Sequence, residues 1–260
     1  LGGRGGIGKS QTGIDIAARV STGRPWPTGE AGQVGNVIVW EVEDDIERTT
    51  VPRLIAAGAD MSRVKVTADH SDLGNGGFED LVSLIEGIGG VRMVMLSPFR
   101  KFFEQADPQG NLAVRKAMQP LVDYASSRQM TFLGIMHPPK DKEDREAFGG
   151  PGAYFDLSRA ALSCIHDPED RKKPLAQRRR IIVSAKGNLG PDTGILRYTT
   201  VGVDLPGGLH VSRIDWLDAR ADEPRTQGGH RTLALPKPRP PAAEWLKERL
   251  SSGPVPASVV

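Results

Sequence analysis

Gly3-Arg4-Gly5-Gly6-Ile7-Gly8-Lys9-Ser10 fits the pattern GxxxxGK[ST], and the reading of the whole chain turns on it. A loop of this kind wraps an anionic polyphosphate in backbone N–H groups, and glycine lets the main chain turn that tightly and approach that closely. In that pattern Lys9 reaches the β- and γ-phosphates and the Ser10 hydroxyl takes a place on Mg²⁺. The next stretch, Gln11 to Val20, carries Ile14, Ala17, Ala18 and Val20 at helical spacing, so a helix would aim its positive N-terminal end at the phosphates. We assign Gly3, Gly5, Gly6, Ile7, Gly8, Lys9, Ser10 and Gln11 as the nucleotide-binding set, with ATP and Mg²⁺ as cofactors. The alternative is a glycine-rich turn that matches by chance.

Working outward, only Leu1 and Gly2 precede the motif, where a buried strand is required, and there is no initiator Met. At the other end, residues 240–250 begin an amphipathic helix ten residues before the sequence stops. The expectation is an internal fragment of a longer protein, its first strand cut short and belonging inside the sheet.

Between these ends, short apolar runs alternate with helical patterns, which predicts a parallel sheet with crossover helices. Strands are expected at Val37–Trp40, Val64–Val66, Val91–Leu96 and Thr131–Met136. Helices are expected at Ile46–Ala57, Phe78–Ile88 and Asn111–Ser127, the last with Ala113, Met118, Leu121, Val122 and Ala125 facing inward. After Met136 the pattern changes. Ala160–Ile165, Ile181–Ala185, Ile195–Thr200 and Leu209–Trp216 read as strands without helices between them, and Leu205-Pro206-Gly207-Gly208 turns the last two into a hairpin. The predicted fold class is therefore α/β, a P-loop sheet flanked by helices and extended by antiparallel strands. The expected domains are 1–217, an ATPase domain; 218–242, a Pro/Gly-rich linker; and 243–260, the start of a C-terminal helical region.

Composition excludes several classes. Charged residues make up 25% and apolar residues 38% of the chain, and the net charge is +2, so no global electrostatic argument for nucleic acid holds. Seven basic and no acidic residues between Arg171 and Lys186 form a local run that could touch a phosphate backbone or be a solvated loop. The single cysteine, Cys164, excludes a disulfide framework and suits a reducing cytoplasm. No apolar run reaches the length of a membrane span.

In open α/β sheets ligands bind at the carboxyl ends of strands. Strand Val37–Trp40 is followed by Glu41-Val42-Glu43-Asp44-Asp45. Asp44 is placed as a helix N-cap with Glu47 completing a capping box. Glu43 has no such duty, and a carboxylate there can orient and deprotonate the attacking water. The competing reading is a solvated acidic turn. The run ending in Leu96-Ser97-Pro98 is where phosphate-loop enzymes carry the acidic residue that holds Mg²⁺. Ser97 stands there, able to contact a metal-bound water but adding no charge, so metal binding is expected to weaken. His137 follows the next strand, where it can sense the γ-phosphate, the competing reading being a purely structural histidine; Lys140–Gly150 reads as a mobile loop.

Taken in order, these motifs resemble a RecA-type ATPase of the RepA-like replicative helicase group, also described as AAA-family ATPases. The resemblance runs through Gly2–Ser10, Val37–Asp60, Ser97-Pro98-Phe99, His137 with Lys140, Ser158-Arg159-Ala160, Asp167-Pro168-Glu169-Asp170 and Lys186–Pro191, about residues 2 to 218 in all. Residues 240–260 are similar to the lead-in to a winged-helix region in such proteins. The resemblance implies that Glu43 is the catalytic carboxylate and His137 the γ-phosphate sensor. It also implies a homo-oligomeric ring, read as a hexamer, acting on single-stranded DNA. Each site would be completed by a neighbour's arginine, for which Arg159 is the matching position, with Lys186 assisting. A salt bridge at a strand start is the competing reading for Arg159. Two other functions stay open. One is a nucleotide-binding regulatory or scaffold protein with weak turnover, because of Ser97. The other is a small-molecule phosphotransferase, which lacks an obvious second pocket.

Overall fold

The computed structural model describes residues 1–69, 71–106, 110–137, 152–187 and 194–217. The expectations for residues 138–151, 188–193 and 218–260 (the loop with Lys140, the rest of the Lys186–Pro191 motif, the linker and the C-terminal region) lie outside the described residues.

The first half alternates strand and helix. Helix α1 (Lys9–Thr22) is followed by β1 (Asn36–Glu41), α2 (Val51–Ala56), β2 (Val64–Thr67), α3 (Gly77–Ile88), β3 (Val91–Ser97), α4 (Asn111–Arg128) and β4 (Thr131–Gly134). The four strands pair in parallel in the order β2-β1-β3-β4. Successive side chains on a strand face opposite ways, and the packing follows that rule. Val37, Val39, Met93, Met95 and Ile135 pack with Ile14, Ala17 and Ala18 of α1 and Leu54 of α2. Ile38, Trp40, Val94 and Leu96 face Leu81 and Ile85 of α3 and Val114, Met118 and Leu121 of α4. Apolar residues on both faces are what a buried parallel sheet requires. The predicted inward row of α4 shifts slightly: Val114 is buried, while Ala113, Val122 and Ala125 are half-buried.

The second half is a short helix α5 (Ala153–Leu157) and four strands, β5 (Ala160–His166), β6 (Arg180–Gly187), β7 (Ile195–Leu205) and β8 (Leu209–Leu217). These are antiparallel in the order β5-β6-β7-β8. Leu1 and Gly2 connect the two sheets. Gly2 bridges Met136 on one side and Ser163 of β5 on the other, both in parallel, through Met136 N–H to Leu1 O and Cys164 N–H to Gly2 O, each 2.8 Å. The stretch before the glycine-rich loop thus occupies the strand position between β4 and β5. The β7–β8 hairpin folds back over α1, where the Trp216 indole donates to Asp15 at 2.8 Å and the Gln11 amide donates to Ser212 at 2.7 Å.

One local expectation is corrected. The segment after β1 starts as a π-helical turn, Ile46–Thr50, capped by Asp45, whose side chain accepts from Arg48 N–H at 2.7 Å. Asp44 is not the cap; it pairs with Arg53 at 2.9 Å instead. The wider turn moves the cap on by one residue.

Candidate functional site

The glycine-rich loop leaves the strand position at Gly2 and enters α1 at Lys9. Gly3 (φ 147°), Gly6 (φ 73°) and Gly8 (φ 96°) take backbone conformations that L side chains rarely adopt. At Gly3 space also forbids a side chain, because a Cβ would lie 2.4 Å from the Cys164 carbonyl oxygen. The Tyr198 hydroxyl donates to the Ile7 carbonyl at 3.0 Å from a fully buried ring, tying the loop to β7. The loop is therefore held in shape by residues more than 150 positions away in sequence.

Lys9 is buried, and its ammonium donates to the Arg4 carbonyl at 2.7 Å across the loop. It forms no salt bridge with a carboxylate among the described residues. Burial pushes its pKa down from 10.5 to about 8, with nearby Cys164 and Glu43 opposing the shift. A buried cation inside a glycine-rich loop that enters a helix N-terminus is suited to an anion, so the residues present fit a polyphosphate. Ser10 is half-buried at the first turn of α1, and Gln11 is buried against β8 with its Oε1 left unpaired. Next to this turn, Arg48, Thr49, Arg53, His210, Val211 and Ser212 line an open cleft of about 320 Å³.

The strand tips supply the rest. By alternation Glu41, Ser97 and His137 share parity with Val39, Met95 and Ile135, which puts them on the α1 side of the sheet. Glu43 stands beyond β1 with 65% of its side chain exposed, and its Oε2 lies 4.0 Å from His137 Nε2. Burial, followed by the charge of Lys9, holds the His137 pKa below its usual value. His137 is thus neutral at neutral pH and can accept or donate a hydrogen bond. A second open cleft of about 330 Å³ runs past His137, lined also by Arg100, Lys101 and Glu104.

Two observations bear on residues the sequence singled out farther along. β5 runs parallel to Leu1–Gly2, so the glycine-rich loop lies at the C-terminal end of β5. Arg159, just before Ala160, lies at the opposite end. It is exposed and forms no salt bridge with a carboxylate among the described residues. The Lys186 ammonium donates to the Phe155 and Asp156 carbonyls at 3.1 and 2.6 Å, closing the C-terminal end of α5. The basic run is partly internal. Arg179 binds Asp170 through Nε at 2.9 Å, Lys173 binds the same carboxylate at 2.9 Å, and Arg197 reaches Asp167 at 3.1 Å. These donors hold the Asp170 carboxyl far below its usual range. Arg171 and Lys172 remain exposed.

Glu41 and Tyr198 were not singled out from the sequence. Glu41 is 3% exposed and pairs in register with Ser97 across β1 and β3. Its Oε1 accepts the N–H groups of Glu43 at 3.0 Å and Asp44 at 3.3 Å. Burial raises its pKa, with the N–H groups of Glu43 and Asp44 and the nearby Ser97 hydroxyl opposing the shift. The available signal was that Glu41 shares the parity of Val37 and Val39, but its partner depends on strand register.

A family model described as the AAA domain matches residues 1–143. No curated protein matches the chain. Among solved structures, an ATPase domain aligns with a TM-score of 0.52 at 12% identity, covering 76% of this chain and 79% of that one. A DnaB-like replicative helicase, solved with its interactions with primase, aligns with a TM-score of 0.53 at 11% identity, covering 76% of this chain. The chain spans 54% of that helicase's length. At these identities the alignments establish the fold alone, a parallel sheet flanked by helices with an antiparallel extension.

Proposed function

Because the chain belongs to the AAA domain family, we propose that it is the ATP-binding and ATP-hydrolysing motor domain of a RepA-like or DnaB-like DNA helicase, or of a related replication or mobile-element ATPase. The observation that carries this is the buried Lys9 inside the glycine-rich loop, which forms no salt bridge among the described residues, with Glu43 and His137 standing together at the strand tips.

In this reading the loop N–H groups and Lys9 bind the β- and γ-phosphates, and Ser10 holds Mg²⁺. The cleft between Arg48, Arg53 and His210 seats the nucleoside end. Mg²⁺, when bound, supplies neutralisation of charge on the phosphate oxygens. Glu43, exposed and so able to meet a water, orients it and takes its proton. His137, 4.0 Å from Glu43, links the presence of the γ-phosphate to residues 138–151 that follow it. Arg159 lies at the wrong end of the sheet to serve its own loop, so its role is toward a neighbouring subunit's phosphates in a ring. Lys186 acts by setting α5 and the start of β5, which carries Arg159. Single-stranded DNA and further copies of this chain are the partners.

The second reading, a regulatory ATP-binding protein with slow turnover, rests on Ser97. ATP turnover measured with and without single-stranded DNA, over a range of protein concentrations, separates the two. The motor reading expects stimulation by DNA and specific activity that rises with concentration. Tight ATP binding without either supports the regulatory protein, and absence of ATP binding removes both.

A further inference from the structure

We propose that Glu41 supplies the carboxylate that the Ser97 position lacks, so that this site keeps its acidic metal-shell group on the neighbouring strand. The inference rests on the ATP–Mg²⁺ reading given above. In the parallel register Glu41 lies directly beside Ser97, and by parity both point to the side of the sheet on which Lys9 and Ser10 begin α1. Both are 3% exposed, so the carboxylate sits at a dry strand tip, not among the solvated acids of the following turn. The tip of β3 thus carries a hydroxyl, and the tip of β1, directly beside it, carries a buried carboxylate.

The competing role is structural. Glu41 Oε1 accepts the N–H groups of Glu43 and Asp44, which shapes the turn that presents Glu43. The two roles make different demands. A glutamine side chain offers the same carbonyl oxygen to both N–H groups but carries no charge, so Glu41→Gln keeps the turn and removes only what a metal shell needs. Glu41 is thus a positioning residue, acting on Mg²⁺ through its charge and not on the reacting phosphate.

The test is calorimetric binding of ADP, with and without Mg²⁺, which requires no turnover. In the wild-type protein Mg²⁺ tightens ADP binding. In Glu41→Gln, ADP affinity without Mg²⁺ stays unchanged and the Mg²⁺-dependent gain shrinks by about 10–100-fold, the usual effect of losing an outer-shell partner. Adding Ser97→Asp to that variant returns a carboxylate to the neighbouring position and restores the gain. Ser97→Ala, tested alone, changes the gain only a few-fold, because the Glu41 charge is still present. A full Mg²⁺ gain in folded Glu41→Gln overturns the inference. So does loss of the gain in Ser97→Ala with Glu41 intact, which is readable even if Glu41→Gln does not fold. Absence of any ADP binding by the wild-type protein overturns the underlying nucleotide reading itself, a result distinct from either of these.

Discussion

Lys9 is a cost to the empty protein and an asset to the nucleotide complex, and the two are separable by pH. Its pKa in the folded chain is about 8 against 10.5 for a free lysine, chiefly because it is buried. At about 1.36 kcal/mol per tenfold change in proton affinity, charging Lys9 in the nucleotide-free fold costs at most roughly 3 kcal/mol, and solvent screening reduces this to about 1–2 kcal/mol. The sign follows from linkage. Between pH 8 and 10.5 the unfolded chain binds more protons at this position than the folded one, so stability rises with pH across that window. The penalty is fully present below pH 8 and gone above 10.5. Lys9→Met removes the titrating group while keeping a linear side chain, although it also loses the bond to the Arg4 carbonyl. The stability difference between wild type and Lys9→Met, measured by urea denaturation without nucleotide, should therefore shift by about 1–2 kcal/mol in favour of the wild type between about pH 7.5 and 10.5. ATP binding to the wild type at about pH 8.5 should take up protons, visible as a dependence of the calorimetric heat on buffer ionisation, because the bound anion restores the ordinary pKa. A pH-independent difference between the two proteins, together with no proton uptake, would refute the account of Lys9 as a buried cation whose charge costs stability.

Tyr198→Phe leaves the Ile7 carbonyl without its buried donor and should cost about 1–3 kcal/mol, read as a fall in Tm of roughly 2–4 °C per kcal/mol, with weaker ATP binding because the loop is less well held. Gly3→Ala places a Cβ 2.4 Å from the Cys164 carbonyl oxygen in a backbone conformation unsuited to alanine; loss of soluble folded protein or of several kcal/mol in urea denaturation is expected, and near-normal stability would mean that the loop relaxes. Ser97→Asp in the otherwise unchanged protein sets a second carboxylate against the buried Glu41, so one of the pair should stay protonated and turnover should not rise; a clear rise in ATPase rate would argue that Glu41 does not carry the charge. Mixing Arg159→Ala with Glu43→Gln subunits should recover part of the ATPase activity, since some interfaces regain an intact pair, and an arginine supplied in trans is worth roughly 10³–10⁵ in rate in other phosphoryl-transfer enzymes. Unfolding of Arg159→Ala without any recovery on mixing would leave that residue a structural role only.

What the sequence by itself determined was whatever depends on neighbours along the chain. The glycine-rich loop could be read directly, because backbone conformations closed to other residues leave glycine as a visible mark at Gly3, Gly6 and Gly8. Strand and helix in the first half followed from short apolar runs alternating with helical apolar spacing, and the hairpin turn at Leu205–Gly208 from its Pro-Gly-Gly composition. Short-range satisfaction was less legible. A π-helical turn differs from an α-helical one by a single hydrogen-bond step, which was enough to move the cap from Asp44 to Asp45. Only the tertiary structure decided which distant groups meet. Parallel neighbours are joined by crossover segments that leave no trace of their register, so nothing local pairs Glu41 with Ser97. The basic run from Arg171 to Lys186 shows in sequence as unbalanced charge. In space Asp167 and Asp170 face it, accepting Arg179, Lys173 and Arg197. Tyr198 reads as one more apolar strand residue until the antiparallel sheet brings its hydroxyl to Ile7, 191 positions away. The chemistry of a strand tip is set by side chains that converge from separate strands, and that convergence is a property of the packed sheet, not of any one segment of the chain.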